Sequence, residues 1–143
     1  MDLCQLITTN SEIDNNQALI TGVGQEKIAI PVPSIITIEN INPSDISLVD
    51  SSDVIYLRGH VIPLLYLDKF FGIESDKKDN ENITAVICKH NDSHIGLVVD
   101  TLFGQEDIES KPLGVLSNNK FFSGASILSN DLAMIIDVPA LIA

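Results

Sequence analysis

Val54-Ile55-Tyr56-Leu57-Arg58-Gly59-His60-Val61-Ile62-Pro63-Leu64-Leu65-Tyr66-Leu67 is the stretch on which the fold turns. Two apolar runs, Val54–Leu57 and Val61–Leu67, flank Arg58-Gly59-His60. Apolar, β-branched runs separated by a short turn containing glycine read as a β-hairpin, because glycine takes a positive φ at no steric cost. The same figure recurs elsewhere. Ala18–Val23 and Lys27–Val32 flank Gly24-Gln25-Glu26, Ala85–His90 and His94–Val99 flank Asn91-Asp92-Ser93, and Ser126–Leu128 and Leu132–Ile136 flank Ser129-Asn130-Asp131. Short strands at this spacing predict an all-β sandwich or barrel. Helical candidates are Leu67–Phe71, Val138–Ala143 and Pro43–Val49, the last with Asp45 where a helix dipole favours a carboxylate. Glu74–Asn82, nearly all charged or amide, reads as a solvated loop.

The chain also resembles itself. Ala18–Ile41 lies without gaps on Ala85–Ile108, an offset of about 67 positions, with Ile20 on Ile87, Ile28 on Ile95, Ile30 on Leu97, Ile35 on Leu102, Ile41 on Ile108 and Glu39 on Glu106. Leu57 through Phe71 then matches Leu128 through Ile142. Each half is a hairpin, a connecting segment, a second hairpin and a short helix. A half of this size is marginal alone, so two copies packed together solve a burial problem, and curling five short strands into a barrel removes exposed edges. The expectation is one domain over 1–143, with barrel one roughly at 17–59, barrel two roughly at 60–137 and a C-terminal helix at 138–143.

The bulk numbers restrict function. With 143 residues, 45% of them apolar, the chain can build a sizeable core. Its net charge of −12 repels phosphate backbones and anionic lipid surfaces, which argues against nucleic acid and direct membrane insertion. No apolar run approaches the roughly 20 residues of a membrane span, and Met1–Thr8 lacks the basic and apolar regions of a signal peptide, so a cytoplasmic location is expected. Cys4 and Cys88 have no metal-like spacing and read as reduced thiols.

Three segments carry a family resemblance. Val54–Leu67 followed by Phe70-Phe71-Gly72-Ile73 resembles the CheW-like signature, in which an LRG turn precedes an apolar strand and short helix. His94-Ile95-Gly96-Leu97-Val98-Val99-Asp100, then Leu102-Phe103-Gly104-Gln105, resembles that family's GLVVD strand and its continuation. Phe122–Leu128 and Ile135–Ile142 resemble its closing hairpin and helix. The resemblance covers about residues 17 to 142 and implies two intimately packed five-stranded SH3-like β-barrels with short helices. It implies a non-catalytic adaptor that couples chemoreceptors to a CheA-type histidine kinase. The family also includes the kinase's own C-terminal regulatory domain, which binds CheW and receptors. Lys111-Pro112-Leu113-Gly114, Asp137-Val138-Pro139 and the terminal helix look closer to that domain. Met1–Asn16 and the length suit a stand-alone adaptor, the reading preferred, although an artificial start at Met1 fits equally.

An adaptor works through surface, so the candidate interaction residues are Leu57, Arg58, Gly59, Gly96, Val98, Asp100, Phe103 and Gly104. Arg58 could bridge the barrels or offer its planar donor fork to a partner carboxylate; the plain alternative is a solvated turn residue. Gly96, Val98 and Asp100 share one face of a strand, and Gly96 admits a close neighbour. The resemblance implies that a receptor tip docks in the apolar groove between barrels, near this strand. Phe103 and Gly104 come next, with core packing favoured for Phe103. Ile28, Ile30 and Val32 are expected inward, and Lys27, Ala29 and Pro31 outward.

Catalytic readings are weaker. His90 and His94 with Asp92 lie across a turn without a third ligand, Cys88 near His90 has no activating group, and His60 needs no special account. No cofactor, metal or catalytic residue is expected. A small-ligand binder or hydrolase using the inter-barrel cleft is the alternative of a different class, and no convergent polar groups support it.

Overall fold

The computed structural model describes residues 17–74, 81–109, 121–128 and 131–142. Cys4, Met1–Asn16, Lys111–Gly114, the Ser129-Asn130 turn, Ala143 and the middle of the Glu74–Asn82 loop lie outside them. The described chain runs β1 (Gln17–Val23), β2 (Glu26–Pro31), β3 (Ile35–Ile41), β4 (Ser47–Val49), β5 (Ser52–Leu57), β6 (His60–Tyr66), α1 (Leu67–Phe71), β7 (Ile83–His90), β8 (Ser93–Val99), β9 (Thr101–Asp107), β10 (Phe122–Ile127), β11 (Leu132–Ile136) and α2 (Val138–Ile142). The predicted hairpins and two of the three helices are present. Pro43–Val49 is not a helix: a single 3₁₀ turn at Pro43–Asp45, with the Asn42 side chain accepting from the Ser44 N–H at 3.0 Å, gives way to β4. The segments expected as connectors are the strands β3 and β9.

The strands form a five-stranded sheet, β10-β11-β2-β1-β9, and a six-stranded sheet, β3-β7-β8-β6-β5-β4. The boundary expected near residue 60 is therefore not where the sheets divide. Each half gives its first hairpin to one sheet and its remaining strands to the other, through parallel seams between β11 and β2 and between β6 and β8.

The duplication extends to the hydrogen-bond register. Ala18↔Glu106 and Leu19↔Gln105 between β1 and β9 are matched by Ala85↔Glu39 and Val86↔Ile38 between β7 and β3. Both pairings slip at equivalent positions, at Ile20/Thr21 and at Ile35/Thr37. Ile135↔Ala29 across one parallel seam corresponds to Leu64↔Gly96 across the other. An internal two-fold thus relates the sheets, and among the described residues β4 has no counterpart in the other sheet.

Three buried clusters explain the packing. Ala18, Ile20, Ala29, Leu128, Ala133 and Ile135 fill the five-stranded sheet's own interior. Ile41, Ile55, Ile62, Leu64, Ile83, Ala85, Ile87 and Val98 fill the other. Between them lies a shared core that includes Leu19, Val23, Ile28, Ile30, Leu67, Val86, Leu97, Val99, Ile136 and Val138. The first-hairpin strands are buried on both faces. Ala29, expected outward, is therefore fully buried, its small side chain facing one barrel interior while Ile28 and Ile30 face the shared core.

Candidate docking surface

The hairpin β5–β6 closes through Arg58 at φ 51° and Gly59 at φ 83°, both exposed. Two consecutive positive φ values match the right-handed twist of the flanking strands. Gly59 has open space where a Cβ would stand, so conformation rather than crowding selects glycine there. Arg58 does not bridge the sheets: it has no ion pair or hydrogen bond among the described residues. Leu57 is half-buried against the six-stranded sheet's interior.

Strand β8 serves the interior. A Cβ on Gly96 would sit 2.8 Å from Leu64 Cδ2 and 3.2 Å from Ile87 Cδ1, so the close neighbour that Gly96 admits is β6, across the parallel seam. Val98 is buried beside it. Asp100 closes the β1–β2 hairpin onto the second half of the chain. Its Oδ2 accepts from the Gly24 N–H at 2.6 Å, and its own N–H donates to the Gly22 carbonyl at 2.8 Å.

Phe103 is 55% exposed, contrary to the packing expected of it. The register steps from Ile20↔Gly104 to Thr21↔Leu102, so Phe103 is the extra residue of a β-bulge, with Gly104 at φ 119°. The bulge turns the ring out over Gly22, whose Cβ would meet Phe103 Cε2 at 2.9 Å, and Lys27 Nζ lies 5.0 Å from the ring centroid.

Besides Leu48 and Val49 at the β4–β5 turn, exposed apolar side chains flank the hairpin turns in two matched pairs. Tyr56 (75% exposed) faces Val61 (56%) across β5–β6, and Ile127 (74%) faces Leu132 (53%) across β10–β11. The internal two-fold exchanges these pairs. They are inconspicuous in the sequence because they sit inside runs that also supply core residues. Their signal is the equal offset from both predicted turns in both copies. Beside each pair lies a contact at equivalent positions: Lys27 Nζ to Asp131 Oδ2 at 3.0 Å in one sheet, and the stacked rings of His60 and His94, 4.7 Å apart, in the other. The Lys27 hydrogen bond holds the Asp131 carboxyl below its usual range. His60, which the sequence left without a role, is thus a structural neighbour of His94, and His90 does not join the stack.

Between the sheets, a cleft of about 250 Å³ is lined by Glu26, Ile28, Phe71, Ile73, Phe122 and Met134. Its aromatic wall continues as a chain of ring contacts, Phe122–Phe71–Phe70–Phe121, which ties α1 to the start of β10. Gly96 and Val98 do not line this cleft. Burial pushes the Cys88 thiol up to about 12, where the nucleophilic thiolate is scarce. Among the described residues no group of three or more His, Cys, Asp or Glu could hold a metal ion, and no helix is long and apolar enough to cross a membrane.

Comparison with known proteins agrees with this architecture. A family model described as the CheW-like domain matches residues 17–143. The chain is 39% identical over 126 residues to the chemotaxis protein CheA of Bacillus subtilis, covering 87% of this chain and 19% of that protein. It is 29% identical to the chemotaxis protein CheW of Helicobacter pylori, covering 81% of this chain and 74% of that protein. The chain thus spans about a fifth of the kinase relative. The crystal structure of the scaffolding protein TtCheW from Thermoanaerobacter tengcongensis superposes with a TM-score of 0.72 at 19% identity, over 87% of this chain and 90% of that one, which shows a shared fold.

Proposed function

The chain belongs to the CheW-like domain family, and on that premise we propose that it is a coupling module without chemistry of its own, acting in the cytoplasm to join a chemoreceptor to a CheA-type histidine kinase. The observation that carries this reading is the pair of exposed apolar patches, Tyr56–Val61 and Ile127–Leu132, repeated by the internal two-fold. Large apolar side chains in matched, solvent-facing pairs suit protein contacts. One sheet would use its patch, with Leu57, Arg58 and Gly59 at its tip, to hold the kinase or a CheW partner. Phe103, turned outward on the Gly104 bulge, extends the patch on the other sheet. The aromatic cleft between the sheets would receive the receptor tip, and the buried Gly96 and Val98, with the half-buried Asp100, would support these surfaces from within. Coupling would then act by mass action on a kinase conformation.

A second reading, the regulatory domain of a CheA kinase, is favoured by the higher identity to the kinase relative, 39% against 29% for the CheW relative. One experiment separates them. The purified chain is used to pull down a CheA-type kinase, a CheW and receptor tips from one cell. Capture of both kinase and tips supports the stand-alone adaptor, whereas capture of CheW with tips, without kinase, supports the regulatory domain. Arg58→Glu and Val61→Asp are expected to lose the kinase or CheW partner at unchanged thermal stability. Full capture by both variants would remove the hairpin from the docking surface, and capture of nothing would leave the fold without this function.

A further inference from the structure

The two parallel seams are equivalent in backbone but not in the side chains at their entrance. Where the β2–β11 seam carries the Lys27–Asp131 ion pair, the β6–β8 seam carries His60 and His94, with ring planes 28° apart. Neutral imidazoles tolerate such stacking, and two imidazolium ions repel. The groups around the pair do not restore balance. Lys89 lies opposite His94 on β7, and Arg58 lies two residues before His60 in the β5–β6 turn. Asp92 in the β7–β8 turn is the nearby opposing charge, and His90, which ends β7, contacts Asn91.

We propose that the stacked His60–His94 pair makes the β6–β8 seam proton-sensitive, so that acidification through the imidazole range loosens one sheet while the ion-paired seam of the other is unaffected there. The His94 imidazole lies below its ordinary value, through desolvation first, then the charges of His60 and Lys89, with Asp92 opposing. A base depressed in the folded state binds protons more readily when unfolded. Its stabilising contribution is therefore complete above about pH 6.5 and is lost as pH falls below that value. The device uses only groups within this chain and stands independently of the docking reading.

The test compares the full chain with His60→Asp/His94→Lys, which copies the other seam's ion pair, and with His60→Gln. Melting temperatures are recorded between pH 7.5 and 5, and the imidazoles are titrated by NMR. The carboxylates common to all three chains cancel in the comparison. Wild type is expected to lose more in melting temperature than either variant on acidification. In His60→Gln, the His94 titration should move up toward the ordinary value. Parallel melting curves for wild type and His60→Gln, or a His94 titration that does not respond to His60→Gln, would overturn the proposal. His60→Gln decides the matter even where the double variant does not fold.

Discussion

Arg58 occupies the left-handed region at φ 51°, where a side chain other than glycine, asparagine or aspartate costs about 1 kcal/mol. It is exposed and has no ion pair or hydrogen bond among the described residues to offset that cost. The two-residue turn imposes that φ on whatever residue stands there, so arginine in place of asparagine fits the docking role proposed for it. Arg58→Asn should therefore stabilise the protein by about 0.5–1 kcal/mol, seen as a higher urea midpoint at constant slope, while weakening partner capture. A lower midpoint would mean that the guanidinium serves the fold. The turn itself was legible in the sequence from Gly59 and its apolar flanks. What Phe103 does was not, because Gly104 is the one local mark of the bulge that rotates it outward, and the slip itself exists only in the pairing with β1.

At the scale of elements, the hairpins were readable because each combines apolar runs with a turn of Gly, Asn or Asp. Strands β3 and β9 were harder to see. They are edge strands of mixed exposure, and a run such as Thr101–Asp107 lacks both continuous apolarity and clean alternation. Alternation also misplaced Ala29, since a strand packed between two cores has no outward face. The same crowding sets a requirement on the β6–β8 seam. Gly96→Ala would drive a methyl to 2.8 Å from Leu64 Cδ2, and such overpacking costs about 1–3 kcal/mol. Leu64→Ala alone should cost about 2–5 kcal/mol through the void it leaves. Combined, the new methyl has that space to enter, so the double variant should lose less than the sum of the two single losses. Additive losses in chemical denaturation would show that the two residues do not compete for volume.

For the whole molecule, the repeat was visible in the offset of Ala18–Ile41 on Ala85–Ile108, but the exchange of hairpins was not. In sequence, β1–β2 is as suited to its own half's β6 as to β11, and the choice rests on contacts far apart along the chain. The outcome binds the halves thermodynamically. The shared core takes Ile28 and Ile30 from the five-stranded sheet, and Val86, Leu97 and Val99 from the six-stranded one. Pulling either sheet away exposes both, and each fully buried aliphatic side chain there is worth about 1.5–3 kcal/mol. Asp100 adds a second tie, since its bond to Gly24 joins the two halves directly. A chain built from two independent barrels would melt in two steps. This one should unfold in a single transition, with amides of β1–β2 and of β7–β8 reporting the same denaturant midpoint and the same protection against hydrogen exchange. Asp100→Ala should lower both midpoints together, with a loss of about 0.5–1.5 kcal/mol in stability, although its bond to Gly24 lies at one hairpin turn. Separate midpoints for the two strand pairs would mean that the shared core contributes little, and that the barrels are held together chiefly by the chain.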